Sequence, residues 1–128
     1  MARITTIPLF KALSLSAGGS GTSDIIDLRY CSSKGSYSLN YQTAVGTSGT
    51  CGTTTFSYVG CSTETGTFVS PVAGGTFGTS GTGKTEAKLM SFGTAAPILT
   101  PFMKIIATQT GMGNAGANSR ITAELNVQ

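Results

Sequence analysis

The chain has 128 residues, 39% apolar and only 10% charged, which separates it from disordered chains and gives one domain's worth of sequence with enough apolar matter for a core. Eight basic and five acidic residues leave a net charge of +3 with no basic cluster, so the many phosphate contacts that nucleic-acid binding needs are not provided for. No histidine is present, no apolar run approaches the ~20 residues of a membrane-spanning helix, and 18 glycines among abundant Ser and Thr point to strands joined by turns.

In chain order, Ile4 to Phe10 is apolar and extended, and Pro8 bars a helix there. Lys11 divides this stretch from Ala12-Leu13-Ser14-Leu15, which argues against a signal-peptide core. Residues 1–23 are expected to form an N-terminal arm that touches another subunit, ending in the Gly/Ser linker Ala17 to Ser23. Residues 24–128 are expected to form the β domain, beginning with a strand over Asp24 to Tyr30.

Tyr37 to Gln42 alternates apolar and polar with period two, the pattern of a half-buried strand. Thr53 to Val59 is the next strand, with Phe56 and Tyr58 on one side and Ser57 and Val59 on the other. Thr67 to Ser70 is a short strand stopped by Pro71, and Gly74 to Thr85 reads as a Gly-rich loop. Glu86 to Phe92 is compatible with strand or helix. Phe102 to Thr108 is a strong strand, and Arg120 to Val127 alternates cleanly, with Ile121, Ala123, Leu125 and Val127 inward. The predicted core comprises Leu39, Phe56, Tyr58, Phe102, Ile105, Ile121, Leu125 and Val127. Seven or eight short strands with turn signals between them predict an all-β fold: a single β-sandwich or jelly-roll domain with an extended N-terminal arm.

Gly78-Thr79-Ser80-Gly81-Thr82-Gly83-Lys84-Thr85 fits G-x-x-x-x-G-K-[ST], a loop that wraps phosphates with backbone N–H groups. Such a loop needs a buried parallel strand before it and a helix after it. Neither is supplied: Val69 to Gly75 is broken by Pro71 and glycines, and only 43 residues follow Thr85. In a chain this rich in Gly and Thr, Gly78–Thr85 is read as a chance match and no cofactor is expected. Without histidine there is no Ser-His-Asp or Cys-His arrangement, so no catalytic residue is assigned and the chain is read as non-enzymatic. Asp24 and Asp27, three apart on a strand, face opposite sides and make no acid–base pair. Cys31, Cys51 and Cys61 lack metal-ligand spacing, and no metal is expected; Cys51 and Cys61 could pair across a hairpin, though three half-buried thiols is the simpler reading. Tyr30, Tyr37, Tyr41 and Tyr58 could form a sugar platform, but core and interface packing is their commoner use.

From about Asp24 onward the chain resembles a group of small tailed-phage virion proteins. The likeness rests on Ile26-Asp27-Leu28-Arg29 followed by Tyr37-Ser38-Leu39, and on Phe56-Ser57-Tyr58 with Gly66 to Pro71. It continues in Ala96-Pro97, Pro101 to Ile105, Asn114-Ala115 and the closing alternating strand. The resemblance implies a capsid cement or decoration subunit, docked on a major capsid protein and on copies of itself in a virion assembled in the bacterial host cytoplasm, without nucleic-acid or membrane contact. It carries no functional residue with it. The alternatives are a head–tail connector or tail structural subunit and, further off, a glycan-binding surface module, which the lack of Trp disfavours.

Overall fold

The computed structural model describes residues 4–16, 19–29, 37–45, 53–71, 76–79, 86–91, 100–110 and 118–127. Every regular element among them is a strand. These are β1 (Thr5–Ser16), β2 (Ser20–Thr22), β3 (Ile26–Asp27), β4 (Tyr37–Val45), β5 (Thr53–Cys61), β6 (Thr76–Thr79), β7 (Glu86–Ser91), β8 (Phe102–Thr110) and β9 (Asn118–Val127). They form two antiparallel sheets. Sheet A has the order β1-β9-β4-β7; sheet B has β2-β8-β5-β6, with β3 also paired to β8.

The two longest unbroken pairings come from the residues whose alternation is cleanest. β5 meets β8 without interruption from Thr53 opposite Thr110 to Cys61 opposite Phe102. β4 meets β9 likewise from Tyr37 opposite Val127 to Val45 opposite Ser119. Because side chains alternate across a pleated strand, each pair buries one face. Sheet A turns in Leu39, Tyr41, Ile121, Ala123, Leu125 and Val127; sheet B turns in Phe56, Tyr58, Met103, Ile105 and Ala107. These residues form one hydrophobic cluster, and the rings of Tyr41 and Phe56 join the two sheets at 5.0 Å between centroids, tilted by 46°.

Of the predicted core, Leu39, Phe56, Tyr58, Ile105, Ile121, Leu125 and Val127 belong to this cluster. Phe102 does not. Its side chain is buried, but it follows the outward phase of β8, and the Arg29 guanidinium covers its ring at 5.0 Å from the centroid. Among the polar groups drawn inside, Thr54 Oγ1 donates to Gln109 Oε1 at 2.6 Å, one rung of the β5–β8 pair.

Residues 5–16, expected outside the β domain as part of an arm, are instead strand β1, paired to β9 along its whole length. Phe10 and Leu15 are buried in the shared cluster. Two register breaks, between Pro8 and Phe10 and between Phe10 and Leu13, explain why the alternation is hidden. Each adds one residue to β1 relative to β9. Ile7, Phe10, Leu13 and Leu15 therefore stand opposite Leu125, Ala123, Ile121 and Ser119, so that spacings of three, three and two on β1 match strict alternation on β9. Ala12, inside the second break, has φ of 51°, a conformation that costs a residue with a Cβ roughly 1 kcal/mol.

Three further expectations change. The strand expected over Asp24 to Tyr30 is only Ile26–Asp27, because at Ser23 the chain leaves the β2 course: Ser23 Oγ accepts from Ile105 N at 3.0 Å while Ser23 N donates to Ile105 O at 2.8 Å. Thr76–Thr79, expected inside a loop, is β6. Thr67 to Ser70 contributes one isolated bridge, Val69 to Gly60. The segment that could have been strand or helix is strand β7, antiparallel to β4.

Candidate interaction surfaces

The P-loop-like match begins inside a strand. Gly78 and Thr79 lie in β6, opposite Phe56 and Thr55, and Glu86, which directly follows the match, opens β7. An antiparallel strand thus stands where a phosphate-cradling loop would open a helix; residues 80–85 lie outside the described residues. Asp24 is exposed, and Asp27 is turned to Arg29, which donates to it from its backbone N (3.0 Å), Nε (3.0 Å) and Nη2 (2.7 Å). These bonds, the guanidinium ones first, hold the Asp27 carboxyl below its ordinary pKa. Tyr41 and Tyr58 are buried in the core and are unavailable as a sugar platform; Tyr30 is not among the described residues, nor is the Tyr37 side chain.

Cys61 carries a free thiol at the end of β5. Hydrogen bonding from the Thr63 backbone is the main cause that holds its pKa below the ordinary thiol value. Gly66 makes room for this arrangement, since a Cβ there would fall 2.6 Å from Cys61 Sγ. Cys31 and Cys51 lie outside the described residues. Among the described residues no three His, Cys, Asp or Glu side chains come together to hold a metal ion, and no helix is long and apolar enough to cross a membrane.

Among the described residues, the surfaces that bear on function are the outer faces of the two sheets. On sheet A the outward residues of β9 are polar, and Asn126 is bonded to both neighbouring strands. Thr6 Oγ1 donates to Asn126 Oδ1 (2.8 Å), and Asn126 Nδ2 donates to Ser38 Oγ (3.3 Å), a row running across three strands. Ala12 N donates to Thr122 Oγ1 at 3.1 Å, which ties the second break of β1 to the face.

The outer face of sheet B is different. Its rows run Ser20, Thr108, Thr55, then Thr22, Ile106, Ser57, then Lys104 and Val59. These are short hydroxyl and β-branched side chains. Lys104 is the single charge in those rows, and its Nζ sits over the Phe68 ring at 4.4 Å from the centroid. A cation so placed gains from the ring quadrupole and is less costly to cover than a bare one. In the sequence, the neighbours Ile105 and Ile106 cannot share a side, so one face of Phe102 to Thr108 is either covered by a second layer or exposed for a partner, and association is expected through sheet edges and loops instead. The signal for this surface was present as the near absence of charge in its rows.

Three of the free edges are uneven, while the fourth, β7, pairs with β4 in unbroken register. β1 is broken twice and carries Pro8, β2 and β3 are separated by the kink at Ser23, and β6 has a register break between Phe56 and Ser57 of its partner. Such features discourage indiscriminate strand addition. No family model matches the chain, and no curated protein matches it in sequence.

Proposed function

We propose that the chain is a non-enzymatic structural subunit of a phage virion, acting as a cement or decoration protein that binds the major capsid protein and copies of itself. The observation that carries this reading is the outer face of sheet B. Interface centres are depleted of charge, and the rows from Ser20 to Val59 offer hydroxyl and β-branched side chains with ring-capped Lys104 as their one cation, while the next row holds Phe102 beside the ion pair Asp27–Arg29. Covering these rows strands no unpaired acid. The fold supports the same reading. If β2 and β3 are one strand interrupted at Ser23, the sheet orders are those of an eight-stranded jelly roll, an architecture that recurs in capsid proteins. Fold alone does not fix function, and the virion assignment leans on the sequence resemblance.

The deciding measurement is copy number in purified particles by quantitative mass spectrometry. Cement requires hundreds of copies, and particles made without the protein should rupture at lower temperature or in low salt. About a dozen copies, or a ring multiple, with intact heads that fail in tail joining would replace cement by a connector. Absence from particles ends both readings. The surface is tested separately by Ile106→Glu, which should leave the protein folded and abolish its binding to particles lacking it. Unchanged binding would clear sheet B of that role.

A further inference from the structure

We infer that β1 is an exchangeable strand, which closes sheet A on β9 of a second copy of this chain in place of its own β9. The inference deepens the structural-subunit reading and rests on it for its purpose; its geometry concerns the chain alone. Four observations meet here.

β1 is hydrogen-bonded to the sheet on one side only, through β9. Its ladder is the least regular of the long pairings, broken between Pro8 and Phe10 and again between Phe10 and Leu13, with Ala12 strained at φ 51°. A ladder with fewer regular rungs opens before the uninterrupted β4–β9 and β5–β8 ladders do.

The link to the rest of the fold is short. Ser16 is still paired to Asn118 in sheet A, and Gly19 O already accepts from Gln109 N at 2.9 Å in sheet B. Only Ala17 and Gly18 lie between. Three Cα-to-Cα steps reach at most about 11 Å, while packed sheets stand about 10 Å apart. A link with so little slack favours the extended, exchanged arrangement over the folded-back one.

The vacated slot also selects its occupant. Phe10 and Leu15 fill the cluster from β1, and Gly21 lacks a Cβ where one would collide with the Leu13 side chain. A strand that fills this slot needs apolar residues at spacings of three, three and two, with a bulge at each three. β1 itself has that pattern, so the strand that fits an opened copy is β1 of another copy. Each exchange repeats the contacts of the closed chain and adds no new surface requirement, which is the economy of strand swapping.

The test uses the full chain with Cys31, Cys51 and Cys61 replaced by Ser and a new pair, Thr6→Cys with Asn126→Cys. These residues face each other on one β1–β9 rung. After mild oxidation of dilute purified protein, non-reducing electrophoresis reads which chains are joined. Exchange gives covalent dimers or longer chains as most of the cross-linked product. Inserting Gly-Ser-Gly between Ala17 and Gly18 should then move the product to cross-linked monomer. Cross-linked monomer alone, with or without the insertion, overturns the inference. Failure to cross-link at all in a chain whose circular dichroism is unchanged refutes the β1–β9 register and the inference with it. Because the readout needs no particles, its failure is distinct from a failure of the virion assignment.

Discussion

Replacing Phe56 by Ala is the sharpest probe of how the two sheets are held together. The Phe56 side chain is fully buried, stands on a rung with the small Ala107, and meets Tyr41 of the other sheet at 5.0 Å. Truncating a buried Phe removes its transfer free energy and leaves a cavity, together about 3–5 kcal/mol. Domains of this kind have about 5–15 kcal/mol in all, so the loss consumes a large part of the total. With a urea slope of about 2 kcal/mol/M, the unfolding midpoint should fall by roughly 2 M. The assay is equilibrium urea unfolding followed by far-UV circular dichroism, with the slope compared between variants to verify that the same surface is exposed. A double-mutant cycle with Tyr41→Leu should recover a coupling of about 0.5–1.5 kcal/mol from the ring pair. A loss under about 1 kcal/mol for Phe56→Ala, below the range for a buried ring, would mean that the ring does not fill the space between the sheets, and the single shared core would have to be abandoned.

Three further outcomes follow from local geometry. Ser23→Ala should destabilise by about 1–3 kcal/mol in the same urea assay, because it strands the buried Ile105 N–H; no change would mean that another acceptor takes over at the kink. The Asp27 carboxyl, lowered in the folded protein by its bonds from Arg29, contributes stability that is present above its unfolded pKa and is lost as pH falls through the lower folded value. Its NMR titration midpoint should therefore rise on Arg29→Gln, and an unmoved midpoint refutes the pairing. Cys61, whose thiol pKa is lowered by hydrogen bonds from Thr63 and its neighbours, should alkylate faster at neutral pH than the same thiol in Gly66→Ala, where the added methyl crowds the sulfur; equal rates would remove the turn as the cause.

The strands most legible in the sequence are those where period two runs undisturbed through β-branched and aromatic residues. Tyr37–Val45, Thr53–Cys61, Phe102–Thr110 and Asn118–Val127 were each anticipated to within a few residues. β1 was hidden because its two bulges shift the phase of the apolar residues, so that Ile7, Phe10, Leu13 and Leu15 fit no single period. β6 was hidden by composition: Thr76-Phe77-Gly78-Thr79 sits in a Gly-rich tract, and its pairing to β5 is a tertiary fact. The strand expected over Asp24 to Tyr30 rests on its apolar content, Ile25, Ile26 and Leu28, but Ser23 takes the chain out of the β2 course and leaves Ile26–Asp27 as the paired residues. Phe102 is buried as expected but on the outer side of β8, because apolar character does not report which face a residue occupies; Arg29, two residues past the end of β3, covers its ring. The candidate surface was legible only as an absence of charge on alternate residues, which is visible once the faces are known.

The strand order also governs when the molecule can come into being. With β2 and β3 taken as one course, β5 and β6 are the one pair of consecutive strands sharing a sheet among the described residues. Nearly every ladder therefore joins segments distant in the chain, as in Thr5 opposite Val127. The ninth strand lies between β1 and β4, at the middle of sheet A. A nascent chain still lacking it leaves β1 without a partner in sheet A and β4 paired only to β7, so sheet A cannot be completed before β9 emerges. Until β9 is released from the ribosome, β1 and the β9-facing edge of β4 have no ladder, which makes this stage the one most exposed to aggregation and to premature pairing between neighbouring nascent chains.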